Sequence, residues 1–272
     1  MTNLVMGLGL APAKGGGVAY LPETEALVAR FTTPPTPERK VLINTLVGSL
    51  IDAGVWAKLD GLWLLAAADA QAGRRNWIQN AYNLTAVNSP AFAADRGYTG
   101  NGSSSYLDTG LVPSTFGGLY ALNDASFGYW SLTSRAGNSS NPMGSSSGVN
   151  SSPFSIINPR FTDDRLYPTV NDTGSGGGGA ANTQTSGLLS AQRDSAANVQ
   201  VYRDGSLLAN LSIASVALPS NSFALLARKT GSGAVNVTAD QICMGYVGRA
   251  LGALHSDLKN AVETYLTAVG AV

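Results

Sequence analysis

The sequence predicts a mainly β protein, an antiparallel sandwich flanked by one helix before it and one after it. Three observations carry this prediction. From residue 75 to 248 short β-rich stretches alternate with clusters of Gly, Asn, Ser and Pro, the cadence of a sandwich. Within that region Asp204-Gly205 separates two runs of strand-forming residues, Val199-Gln-Val-Tyr-Arg203 and Ser206 to Leu211, as a hairpin turn does. An apolar stripe of helical period occurs near each end of the chain.

Residues 1–36 read as an arm and linker that precede the folded body at 37–272. The arm opens apolar, MTNLVMGLGLAPAKGGG, and its first lysine, Lys14, follows the apolar part, the reverse of an export signal. It closes in Thr-Thr-Pro-Pro-Thr-Pro, a stiff extended connector. Thr36 then has the character of an N-cap, with Pro37 at the first helical position and Glu38 in the first turn. Ile43, Leu46, Val47, Leu50 and Ile51 make the buried stripe of a helix over about 37–53, which Gly54 ends.

Gly61-Leu-Trp-Leu-Leu-Ala66 is a continuous apolar run, short enough for a buried strand. The stretch RGYTGNGSSSYLDTG (96–110) has four glycines but no Lys after them and no helical stripe, so it reads as a turn feeding a strand. Further strands are expected at Ser126 to Thr133, Phe154 to Ile157, Val199 to Tyr202, Ser206 to Leu211, Phe223 to Arg228 and Ile242 to Val247. Two biased segments, 137–152 and 171–186, contain few apolar groups and are expected to be mobile or to rest on a partner. Leu251, Leu254, Leu258, Val262 and Tyr265 form one face of a closing helix at about 251–268.

Composition excludes several function classes. The 17 basic and 17 acidic residues cancel, so neither nucleic acid nor an anionic membrane has a broad electrostatic footprint to bind. No apolar run is long enough to suggest membrane insertion. One cysteine, Cys243, rules out a disulfide framework and reads as a small core residue. Charged residues are only 12% of the chain, which leaves a Ser, Thr, Asn and Gly surface of the kind found inside an assembly, against neutral polymers such as glycans, or on a merely soluble β domain.

Catalytic groups are sparse. The four glutamates, Glu23, Glu25, Glu38 and Glu263, all lie outside the region of the sandwich, where a glycosidase of the usual kind would place two carboxylates across the scissile bond. Asp163 and Asp164 are adjacent; on a strand they would face opposite sides, and a solvated turn with Arg160 and Arg165 is the better reading. His255, the single histidine, has no nucleophile elbow to serve. No catalytic residue, metal site or cofactor is expected; Asp163, Asp164, Asn171 and Asp172 offer oxygens for a loop Ca²⁺ but without EF-hand spacing. The candidate ligand-binding residues are the aromatics Trp77, in a polar setting, and Tyr129 and Trp130, together with Asp163 and Asp164.

Asn76-Trp77, Asn83-Leu-Thr85, Ser89-Pro-Ala-Phe92, the 97–110 stretch, Val201-Tyr-Arg-Asp-Gly205 and Tyr246-Val-Gly-Arg-Ala-Leu251 together resemble the concanavalin A-like lectin/glucanase (laminin-G-like) sandwich. They are most similar to versions found in bacteriophage and prophage virion proteins, and the resemblance covers roughly residues 38–268. It implies a jelly-roll sandwich. Members with glucanase activity carry clustered glutamates on an inner strand, which this sequence lacks. The expectation is therefore a non-enzymatic virion protein of a tail fibre, tail tip or head, made in the host cytoplasm. Residues 1–36 would dock it on other virion subunits, it would form a homo-oligomer, and it would bind host glycan or a subunit. The alternatives are an architectural decoration protein without a ligand, and a carbohydrate-active enzyme using aspartates.

Overall fold

The computed structural model describes residues 19–150, 153–174, 178–231 and 233–272. The chain begins with helices α1 (Pro22–Val28) and α2 (Pro37–Asp52), and then enters strand β1 (Leu59–Leu64). Short strands β2 (Thr85–Val87), β3 (Ala91–Ala93), β4 (Gly97–Thr99) and β5 (Tyr106–Asp108) precede a single helical turn, α3 (Pro113–Phe116). Then follow β6 (Ala125–Ser131), β7 (Met143–Ser146), β8 (Phe154–Asn158), β9 (Arg165–Asp172), β10 (Ala180–Ala181), β11 (Gly187–Arg193), β12 (Asn198–Arg203) and β13 (Ser206–Ser212). After β14 (Ala224–Leu225), β15 (Arg228–Thr230), β16 (Gly233–Val235) and β17 (Gln241–Gly248), helix α4 (His255–Ala268) closes the chain.

The strands form two sheets. The first runs β13-β12-β11-β6-β17-β4-β3, with β1 beside β17; the second runs β10-β9-β8-β7-β14-β5-β2, with β15 beside β7 and β16 beside β15. Pairing is antiparallel except between β15 and β7. The sandwich expected from the sequence is therefore present, with both flanking helices.

Burial explains the apolar patterns. The sandwich core fills the space between the sheets with Phe127, Tyr129, Leu189, Val201 and Val247 of the first sheet and Met143, Ile157, Leu166 and Val170 of the second, with Phe223 beside β14. The opposite face of the first sheet is covered by the helices, where Val47, Leu50, Leu258 and Val262 meet Leu62, Trp130, Met244 and Tyr246. Strands covered on both faces have no polar side to show, so β1 and β6 are buried at every position. Among the described residues the second sheet has no such cover on its outer face, and β8 and β9 leave Phe154, Ile156, Arg165 and Tyr167 partly or fully exposed there.

Local signals act where they were expected. The Thr36 hydroxyl accepts from the Arg39 N–H at 3.3 Å, Pro37 opens α2, and Gly54 takes φ +73° beyond its end. Asp204 and Gly205 turn β12 into β13 with φ of +47° and +81°, the doubly positive pattern of a two-residue hairpin. In the 96–110 stretch the Asn101 side-chain oxygen gathers the N–H groups of Ser103, Ser104 and Ser105, making the turn between β4 and β5. Cys243 is wholly buried among the helix-facing residues, and burial raises its thiol pKa.

Three expectations change. Segment 137–152 contains a fully buried strand, β7, whose Ser145 and Ser146 hydroxyls donate to the Asn221 and Lys229 carbonyls. Segment 171–186 contains β10 and the buried Asn182 and Thr185. The described part of the expected arm, residues 19–36, packs on the body: Leu27 is fully buried, and the Arg30 guanidinium donates to the carbonyls of Asn76, Trp77 and Gln79. Residues 1–18 of the arm lie outside the described residues.

Candidate functional site

The outer face of the second sheet holds a groove of about 400 Å³. Its floor is Ile156 and Asn158 of β8 with Tyr167 and Thr169 of β9, side chains that share one face because they alternate along paired strands. Its rim is Asn141, Phe161, Asp163 and Asn236 from three loops. The turn that follows β8 stands above the floor because the Phe161 N–H donates to the Arg165 carbonyl and Asp164 adopts φ +59°, which an aspartate tolerates.

Two aromatic rings shape the groove. Phe161 is 39% exposed, and its ring stands perpendicular to Tyr167 with centroids 6.0 Å apart. An exposed ring held edge-to-face by a second ring is rigid and presents a flat apolar surface. The Tyr167 hydroxyl donates to Asp163 Oδ2 at 2.6 Å, and this bond holds the phenol pKa above its usual value.

The floor is polar between the rings and the loops. Asn158 is buried and its Nδ2 donates to the Asn138 carbonyl, while its Oδ1 has no hydrogen-bond partner. Thr169 Oγ1 accepts from the Ile156 N–H, which leaves the hydroxyl hydrogen available to donate. Asn236 Nδ2 donates to Asn141 Oδ1 at 3.0 Å across one end. Flat apolar surface beside fixed hydrogen-bonding groups is what a pyranose or furanose ring requires, with C–H groups on its faces and hydroxyls at its edge.

The residues singled out in the sequence separate into two groups. Asp163 and Asp164 lie in the turn at the groove, as a solvated turn with Arg160: Asp163 faces Tyr167, and Asp164 accepts from Arg160 Nε at 2.7 Å. The three aromatics lie away from this groove. Tyr129 is fully buried between the sheets, with its hydroxyl unpartnered and its pKa pushed up by burial. Trp130 points from the same strand into the helix-facing core and is 5% exposed. Trp77 is 3% exposed, packs edge-on against Tyr265 at 5.9 Å, and walls a small cavity under Pro34 and Pro35. Its polar neighbours misled: Asn76 is consumed by the backbone of Asp60 and Ala81, and Arg30 ties down the loop carbonyls.

The loop Ca²⁺ candidate is also dispersed. Asp172 turns inward and accepts from the Val170 and Gly174 N–H groups, and Asn171 bonds to Tyr120 and Ser155 inside the sandwich, away from Asp163 and Asp164. His255 is fully buried under α4 and packs on Tyr202. The sequence reading did not single out the two groove rings, Phe161 and Tyr167; the signal available was an aromatic in the otherwise polar run Arg160 to Arg165.

No protein-family model matches this chain, and no curated protein matches it. Among solved structures it is similar to Trypanosoma rangeli sialidase in complex with 2,3-difluorosialic acid, with 12% identity, a TM-score of 0.52, and coverage of 83% of this chain and 40% of that chain. The same sialidase in complex with the inhibitor DANA aligns with 10% identity and a TM-score of 0.51 over 83% of this chain and 38% of that one. Domain 4 of AbnA, a GH43 extracellular arabinanase from Geobacillus stearothermophilus, in complex with arabinotriose, aligns with 14% identity and a TM-score of 0.45 over 74% of this chain and 98% of that one. The chain thus spans about two-fifths of the length of the sialidase chains. These neighbours are carbohydrate-active β-sandwich proteins, and at such identities the likeness is one of fold.

The expectation that the protein is not an enzyme is overturned by this comparison. The sandwich is one that recurs in sialidase chains, so its form gives no ground for excluding catalysis. None of the three neighbours named is a virion protein.

Proposed function

We propose that this chain is a carbohydrate-recognising β-sandwich that binds glycan in the groove on the outer face of its second sheet. The observation that carries the reading is the Phe161–Tyr167 pair standing over a floor that contains the unpartnered Asn158 oxygen. Support also comes from the low charge of the chain and from the fold shared with carbohydrate-active proteins. The test is a glycan array probed with the protein and with a Phe161→Ala variant. Reproducible binding by the first that the second loses supports the reading; no binding, or binding indifferent to Phe161, contradicts it.

The finer setting is a proposal resting on the sequence resemblance: a virion protein of a tail or head, docked through residues 1–36 to other subunits as a homo-oligomer. Cryo-electron microscopy of native particles tests it, with density fitting this sandwich as the expected result. Turnover is tested on the same glycans, by incubating the array hits with the protein and with Asp163→Asn and looking for released sugar.

A further inference from the structure

The charge and hydrogen-bonding character of the groove narrow the class of sugar, an inference that rests on the carbohydrate reading above. Among the described residues lining the groove there is one carboxylate, Asp163, and no Lys, Arg or His. The guanidinium groups nearby are engaged elsewhere. Arg160 donates to Asp164 and to the carbonyls of Arg135 and Thr183, Arg135 donates to Asp240, and Arg165 donates to the Gly179 carbonyl. A sugar carboxylate entering the groove would therefore meet the Asp163 charge at contact distance, with no cation among the lining residues to pair with.

The uncommitted hydrogen-bonding groups are neutral donors, the Thr169 hydroxyl among them, and acceptors beside the exposed ring. Asp163 is an acceptor only. Tyr167 spends its hydrogen on Asp163 and is left with oxygen lone pairs. Asn158 keeps a bare Oδ1 because its amide nitrogen is spent on Asn138. Two open acceptors beside the exposed ring, Asp163 and Tyr167, with the Asn158 oxygen buried beneath them, suit a ligand that carries O–H groups. Neutral sugars supply these; the carboxylate of an acidic sugar supplies another acceptor.

We infer that the groove selects neutral, hydroxyl-rich glycans and disfavours glycans whose bound sugar is sialic acid or a uronic acid. This runs opposite to what a likeness to sialidase chains would suggest. Asp163 is the selecting residue, because its charge acts on the ligand at contact distance.

The experiment is isothermal titration of the intact protein with matched glycan pairs that differ only in one acidic sugar, at low and high salt, repeated with Asp163→Asn. The neutral member should bind about tenfold more tightly, since one like-charge contact at a solvated site is of that order. The preference should shrink at high salt and in Asp163→Asn. Equal or tighter binding of the acidic member overturns the neutral selectivity and leaves the carbohydrate reading standing. A preference that Asp163→Asn and salt leave unchanged overturns the role of Asp163. If neither member of any pair binds, the carbohydrate reading itself fails, and the inference with it.

Discussion

The Tyr167 hydroxyl and Asp163 Oδ2 lie 2.6 Å apart at the mouth of the groove, so a strand residue and a loop residue are locked together where a ligand would enter. The bond fixes the Tyr167 ring, and Tyr167 in turn props Phe161 edge-to-face. Loop position and ring orientation are coupled through these three side chains.

Breaking that coupling should be visible in the phenol. With Asp163→Asn the charged acceptor is gone, and the Tyr167 pKa should fall back toward 10.0. The ultraviolet difference titration of the variant against the parent checks this. An unchanged titration would show that the two groups do not meet in solution.

Removing a groove ring should cost binding and spare the fold. Phe161 is exposed at a loop, so Phe161→Ala should move stability by no more than ~0.5 kcal/mol. The lost ring face should weaken glycan binding roughly tenfold. Thermal melting and titration of the same variant separate the two effects.

The buried histidine should make stability depend on pH. Gln192 Oε1 already accepts from the Leu251 and Gly252 N–H groups, so His255 Nε2, 2.9 Å away, carries the hydrogen, and Nδ1 is left bare and unpartnered. Burial pushes the imidazole from 6.5 down to about 3. Between those values the unfolded chain binds the proton and the folded chain does not. Stability therefore falls as pH drops through that window, by ~1.4 kcal/mol per unit at most. Urea unfolding at several pH values checks this against His255→Gln, in which the slope should be shallower by that amount.

Arg193 should be irreplaceable even by lysine. It is fully buried and donates to the carbonyls of Val170, Ser195, Ala196 and Ile213, with Asp172 at 3.8 Å. Lysine keeps the charge but lacks the fork, so Arg193→Lys leaves several carbonyls and part of Asp172 unserved. A loss of ~3 kcal/mol or more is expected in chemical denaturation.

How much of this was legible in the sequence follows from how local each signal is. The cap Thr36-Pro37, the stop at Gly54 and the Asp204-Gly205 hairpin act within a few residues, and all three are where they were read. Strand β7 was not legible, because its Gly and Ser residues become strand only when β8, β14 and β15 pair with them and distant carbonyls satisfy the hydroxyls. Asp163 and Asp164 lie in the solvated turn that was read for them, since paired charges in a turn stay at the surface. The exposure of the aromatics was not legible. Trp77 sits among polar residues that fold inward to bond backbone, while Phe161 sits among polar residues that stay in solvent; composition is the same in both cases and only tertiary contacts separate them.

The most direct test of the central claim is a nuclear magnetic resonance titration of the labelled chain with the neutral glycan that ranks first on the array. The account predicts shift changes confined to Phe161, Asp163, Tyr167, Asn158 and their neighbours on β8 and β9. Saturable changes centred elsewhere, with this groove silent, would contradict it.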